Sequence, residues 1–394
     1  DTTSLDASTD GYVDAPWATG TGRYGIHSVG TSAFAGDVDI TSTIDVEGNS
    51  SWGIRWENNV NGKFTYDGSM TLIGDNSTGL ALDKGATGNV YLSGSITAVG
   101  QNASAISLTG DIGGNLIIDG SYTGTAYSST ASLTQAEYEN LIPANNLLQS
   151  GTLVTIASNV ANGVLFGAAY TDTVTDNTDE DGDGLTDTVQ STASLVQYGS
   201  ASALLIGSTT ENITFGGLTY ASTAIDPPSV NYGLLIRGSI AAYGIHPGVT
   251  SNAITIGGTG YTTTIDNGIG IKGTVTSTAY GADTTAISLL NGASTPQLDI
   301  NGTVTATTTR YNPETSDVYS VTKGDAYALS ISSGATLPTL NVGESSGIYA
   351  SSTGSTGSAT AILDKFGTLT HITNNGTISA TITATDDDGD GTTE

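Results

Sequence analysis

One phrase recurs along this chain at a fixed step. "GKFTYDGSM" at 62–70, "GNVYLSGSI" at 88–96 and "GNLIIDGSY" at 114–122 lie 26 residues apart, and so do "GIRW" at 53–56, "GLAL" at 79–82 and "AISL" at 105–108. A period of this size marks a repeat architecture, in which a unit too small to bury its own apolar face buries it by stacking on copies of itself.

Inside each unit the periodicity is two. In "NASAISLTGDIGGNLIIDGSYTG" the apolar residues alternate with their neighbours, which predicts short strands with Ile106, Leu108, Leu116 and Ile118 inward and Ser107 and Ile117 outward. Gly110, Gly113, Gly114 and Gly120 supply the sharp turns between them. Two or three such strands make one coil of about 26 residues. The pattern continues through "ASALLIG" (201–207), "YGLLIRG" (232–238), "TAISLLNG" (285–292) and "TAILDKFG" (360–367). Helical spacing is confined to "TQAEYENLI" (134–142), where Thr134 could cap a short turn with Glu137 three residues on.

The expected fold is therefore all-β, a parallel β-helix or β-solenoid. Residues 1–24 read as an N-terminal cap or arm, 25–385 as the solenoid with an acidic loop inserted at about 171–191, and 386–394 as an acidic C-terminal tail. Coils about 4.8 Å apart would make a rod of roughly 12 to 15 coils, about 60 to 70 Å long.

Charge narrows the partners. Nine Lys and Arg against 38 Asp and Glu leave a formal charge of −29, which repels phosphate backbones, so no nucleic acid is expected. No apolar run reaches the roughly 18 to 20 residues of a membrane span. Cysteine is absent, and the chain opens on "DTTSLDAST" without a Met or a basic-then-apolar leader, which reads as an exported, already processed segment.

Gly-, Ser- and Thr-rich, Cys-free acidic coils of the form "A-I-x-L-x-G … N-x-x-I-x-G-x-I-x-A" resemble the passenger region of bacterial autotransporters, the type V secreted surface proteins and adhesins of Gram-negative bacteria. The similarity covers about residues 25–385. The resemblance implies a right-handed β-helix, an extracellular or bacterial cell-surface location on the Gram-negative outer surface, and a C-terminal membrane barrel that is not part of this sequence. It also implies an adhesive role toward a host-cell or glycan surface.

Two acidic stretches interrupt the coils. In "TDTVTDNTDEDGDGLTDTVQS" (171–191), Asp179, Asp181, Asp183, Gly184 and Asp187 occupy positions 1, 3, 5, 6 and 9 of an EF-hand-like loop, with the Leu185 carbonyl at position 7. Alternate carboxylates in a tight turn converge on one centre, and a hard cation prefers such oxygens, so calcium is the expected ligand. Position 12 is Gln190 instead of the bidentate Glu, which brings the match closer to shortened D-x-D-x-D-G-x-x-D loops of weak affinity. In the terminal "TDDDGDGTTE", Asp386, Asp388, Asp390, Gly391 and Glu394 repeat the spacing. Both stretches also read as solvated acidic segments, the second as a frayed terminus.

Catalytic signals are thin. His27, His246 and His371 fall in separate coils without a nucleophile elbow or a zinc-binding helix, so no enzyme is expected. A polysaccharide-active β-helix would need clustered Asp with Lys or Arg, and the nine basic residues are scattered. The N-x-[ST] sites at Asn49, Asn76, Asn102, Asn212, Asn301 and Asn375 read as turn residues before they read as glycosylation sites. The functions left are a calcium-dependent surface adhesin and a subunit that self-associates into a layer, sheath or filament.

Overall fold

A computed structural model describes residues 18–126, 150–170, 173, 177–182, 184–220, 230–246, 248–309, 324–354, 357–384 and 392–393. Most of the expected N-terminal arm, the helical turn at 134–142, Asp183, Asp386, Asp388, Asp390 and Glu394 lie outside the described residues.

Three parallel sheets of ten strands each run the length of the molecule, and every coil contributes one strand to each. In one coil these are Trp52–Trp56, Phe64–Tyr66 and Ser69–Ile73. The next coil repeats them as Thr78–Leu82, Val90–Leu92 and Ser95–Val99, hydrogen-bonded in parallel register to the first. The described residues thus form a parallel β-helix of ten coils, with shorter sheets at one corner.

The two-residue alternation builds the interior. Ile106, Leu108, Leu116 and Ile118 are fully buried in the main core, each on the same ladder as an apolar residue one coil away, such as Ile106 between Leu80 and Val154. Full burial of each such side chain contributes about 1.5–3 kcal/mol before entropy is subtracted. Ser107 faces outward and is half-buried. Ile117 also leaves the main core, but it is only 2% exposed, because a second apolar cluster covers it on the outside of the wall.

The corners explain why the phrase repeats so closely. A Cβ placed on Gly94 would lie 2.4 Å from the Gly68 carbonyl oxygen, and one on Gly120 would lie 2.1 Å from that of Gly94, so each coil packs backbone on backbone there. At another corner Asn76 and Asn102 hold left-handed backbone (φ 55° and 56°), and the Asn102 amide donates to Asn76 Oδ1 at 3.2 Å. These asparagines serve the turn and stack from coil to coil, as the conformational reading expects.

The coil count is lower than the sequence spacing suggests. Register partners step by 26 residues from Ile54 to Leu80 to Ile106, then by 48 to Val154 and by 50 each to Leu204 and Ile254. The later coils spend the surplus on excursions from the corners, so ten coils replace the expected 12 to 15 and the ladders span about 43 Å.

Candidate metal centre

The acidic loop leaves the wall after the strand Val164–Phe166 and returns at Ser194–Tyr198. Within it Asp187 opens a single 3₁₀ turn, Asp187–Val189. Carboxylate oxygens of Asp179, Asp181 and Asp187 all lie within 4.8 Å of one another. Asp181 and Asp187 are 1% and 3% exposed.

Backbone donors orient two of the three. Gly184 N–H donates to Asp179 Oδ2 at 3.1 Å, and Glu180 N–H donates to Asp187 Oδ2 at 3.2 Å. The other oxygens, Asp179 Oδ1 and Asp187 Oδ1, are buried with no hydrogen-bond partner among the described residues. Asp181 accepts from the Arg237 guanidinium, which also forms its ion pair. Glu180 turns away and accepts from the Thr173 N–H and hydroxyl at 2.9–3.0 Å. Burial pushes the Asp187 carboxyl above the usual carboxylate range, and the charges of Asp181, Glu180 and Asp179 push the same way against the Glu180 N–H.

Of the residues assigned from spacing, the structure therefore brings together Asp179, Asp181 and Asp187. Leu185 lies in the same turn, and its side chain has a role that the spacing did not foresee. It packs on the outer cluster of Ile117, Leu165, Leu218, Tyr232 and Leu235.

Arg237 and Asp119 escaped the sequence reading. Arg237 directly follows the apolar strand Leu234–Ile236, and strand alternation alone would have put it on the outer face. Asp119 ends "LIID" beside the turn glycine Gly120, yet it is 1% exposed. It accepts from Tyr91 O–H at 2.9 Å and from Ser191 N–H at 3.3 Å, which pins the end of the acidic loop to the wall. Burial raises its pKa to about 6 although both donors oppose the shift.

The other polar features are dispersed among the described residues. His27 lies 3.0 Å from Glu57 in the first two coils, His246 is buried and its pKa pushed down to about 4 by burial, and His371 lies in the last coil. A groove of about 450 Å³ at one corner is lined by Asp266, Asn267, Thr295 and Thr336 among others, with Asp266 its one charged residue. No helix is long and apolar enough to cross a membrane among the described residues.

No family model matches the chain, and neither a curated protein nor a solved structure is found to match it. The fold and the loop define a parallel β-helix whose wall carries a pinned cluster of three carboxylates.

Proposed function

We propose that this protein is a cell-surface or secreted β-helix with an adhesive or structural role, its wall ordered by calcium at Asp179, Asp181 and Asp187. Two observations carry the cation: Asp179 Oδ1 and Asp187 Oδ1 are buried without a hydrogen-bond donor among the described residues, and each of the Asp179, Asp181 and Asp187 carboxylates has an oxygen within 4.8 Å of the others. A buried carboxylate is costly unless it is compensated, and a hard cation bound by oxygens compensates several at once. Arg237 supplies only one positive charge against this group. Asp183 and the Leu185 carbonyl complete the set that the spacing assigns. Asp386, Asp388, Asp390 and Glu394 are given a second, similar site on spacing alone.

The surface role rests on the repeat architecture and on the resemblance of its coils to autotransporter passenger regions, which also suggests the Gram-negative outer surface. A long uniform wall offers contact area to a host-cell or glycan surface without any catalytic group, and this reading assigns the chain no catalysis.

Self-assembly is a second reading, favoured by the last coil. There Ile372, which continues the core ladder of Leu340, and Ile382, which stacks on the buried Ser352, are 50% and 56% exposed, while Val38, Ile40, Ile44 and Val46 at the first coil are buried. Open parallel strands invite pairing with another chain.

Calcium that binds only the folded state raises its stability by mass action, about 2.7 kcal/mol at a hundredfold excess over Kd. The melting temperature is expected to rise in millimolar calcium and fall back in chelator, with no such shift in Asp179→Asn/Asp187→Asn. An identical melting temperature in both conditions would refute the cation reading. Sedimentation and negative-stain micrographs of the same samples separate single adhesive rods from fibres or layers.

A further inference from the structure

The loop that carries the carboxylates also covers an apolar patch on the outside of the wall. Ile117, Leu165 and Leu235 stand side by side on three consecutive strands of one sheet, facing away from the main core, and all are buried. Leu218 and Tyr232 flank the patch and are held by bonds that need no ion. Leu218 N–H donates to the Tyr232 carbonyl at 2.9 Å, Asn115 donates to the Thr219 carbonyl at 2.9 Å, and Tyr232 O–H donates to Asp299 at 2.7 Å.

Leu185 is held differently. It sits between Gly184, whose N–H donates to Asp179, and Asp187, whose N–H donates to the Thr178 carbonyl at 2.8 Å. Its place on the patch therefore depends on a turn in which the carboxylates of Asp179, Asp181 and Asp187 crowd together and the Glu180 N–H donates to Asp187. The tether is built into the wall as well. Leu235 belongs to the patch and Arg237, two residues on, ion-pairs with Asp181, so one extended segment supplies both the covered surface and the anchor of its cover.

We propose that a divalent cation held by Asp179, Asp181 and Asp187 latches Leu185 over the Ile117–Leu165–Leu235 patch, so that cation occupancy decides whether this apolar surface is covered or open. The inference rests on the cation reading above and adds a consequence to it. With the ion bound, the carboxylates draw together and Leu185 closes the patch. With the ion removed, their mutual repulsion splays the turn and Leu185 lifts away.

The test uses the full chain in calcium chloride and in excess chelator. Calcium binding is read by titration calorimetry. Patch exposure is read by a neutral solvatochromic dye, because a net charge of −29 repels anionic dyes, and by amide exchange at residues 116–118 and 164–166. Chelation is expected to raise dye fluorescence severalfold and speed exchange at both segments. Leu185→Ser is expected to show the high fluorescence even in calcium. Calcium binding without any change in dye or exchange on chelation would overturn the latch and leave the cation reading standing. Low fluorescence of Leu185→Ser in calcium would also overturn it, by showing that Leu185 is not the cover. Absence of calcium binding would overturn both.

Discussion

The strictly periodic coils and the loop-bearing coils share one interior and differ in what lies outside it. Between Ile54 and Ile106 the step is 26 residues, and hydrogen bonds repeat at that interval: Asp75 N–H to Asn49 Oδ1 at 2.8 Å, Gln101 N–H to Asp75 Oδ1 at 2.7 Å. Between Ile106 and Ile254 the step is 48 to 50 residues, yet Val154, Leu204 and Ile254 are as deeply buried as Ile54 and Leu80. The ladder needs a strand in register, not a fixed number of residues between strands. Longer connections add little closure entropy, about 0.6 kcal/mol per doubling, and the surplus chain is free to fold back over the wall. In the regular coils the outer face stays partly open to solvent, as at Thr65; in the loop-bearing coils it acquires a second core.

The sharpest way to break this comparison is to damage the part that both regions share. Ile118→Asp would bury an unpaired charge between Leu92 and Phe166 and is expected to cost more than about 4 kcal/mol, or to abolish cooperative unfolding in denaturant titrations. The next test stays in one outward column, where Thr65, Tyr91 and Ile117 are successive register partners. Ile117→Ala, beneath the second core, should cost about 2–4 kcal/mol, and Thr65→Ala within about 0.5 kcal/mol, by the same titrations. Equal costs would mean that the cover contributes nothing.

Asp119 separates the regions by pH. Below the ordinary carboxyl pKa of 3.8 it is protonated in both folded and unfolded chains. Between there and its folded value of about 6 only the folded protein keeps the proton, so its contribution to stability falls as pH rises through that window, by roughly 2–3 kcal/mol in all. Melting temperatures of the wild type and Asp119→Asn from pH 3.5 to 7 should show this slope removed in the variant. The smallest effect belongs to the regular coils. Ser50 holds φ 47° at the position where Asn76 and Asn102 stand in the next two coils. Ser50→Asn is expected to stabilise by about 0.5 kcal/mol, visible as a small rise in melting temperature.

The legible part of the candidate site is local. Asp179, Asp181 and Asp187 sit within nine residues of each other, and a turn dense in carboxylates advertises itself by spacing. Their anchor does not, because Arg237 lies 56 residues beyond Asp181 and meets it only after the chain has completed another coil. Asp119 and Ser191 are 72 residues apart, and their meeting likewise leaves no local pattern.

By itself the sequence determined the class of fold and the inward ladders, because a repeat of 26 residues with two-residue alternation can bury its apolar positions only by stacking. Alternation assigns each residue to a side of the wall and says nothing of what lies beyond it. Ile117 and Ser107 were both assigned outward, yet one became the floor of a second core and the other stayed half-buried at the surface. Only the tertiary structure decided between them, because the cover over Ile117 comes from loops whose return path depends on contacts with residues tens of positions away.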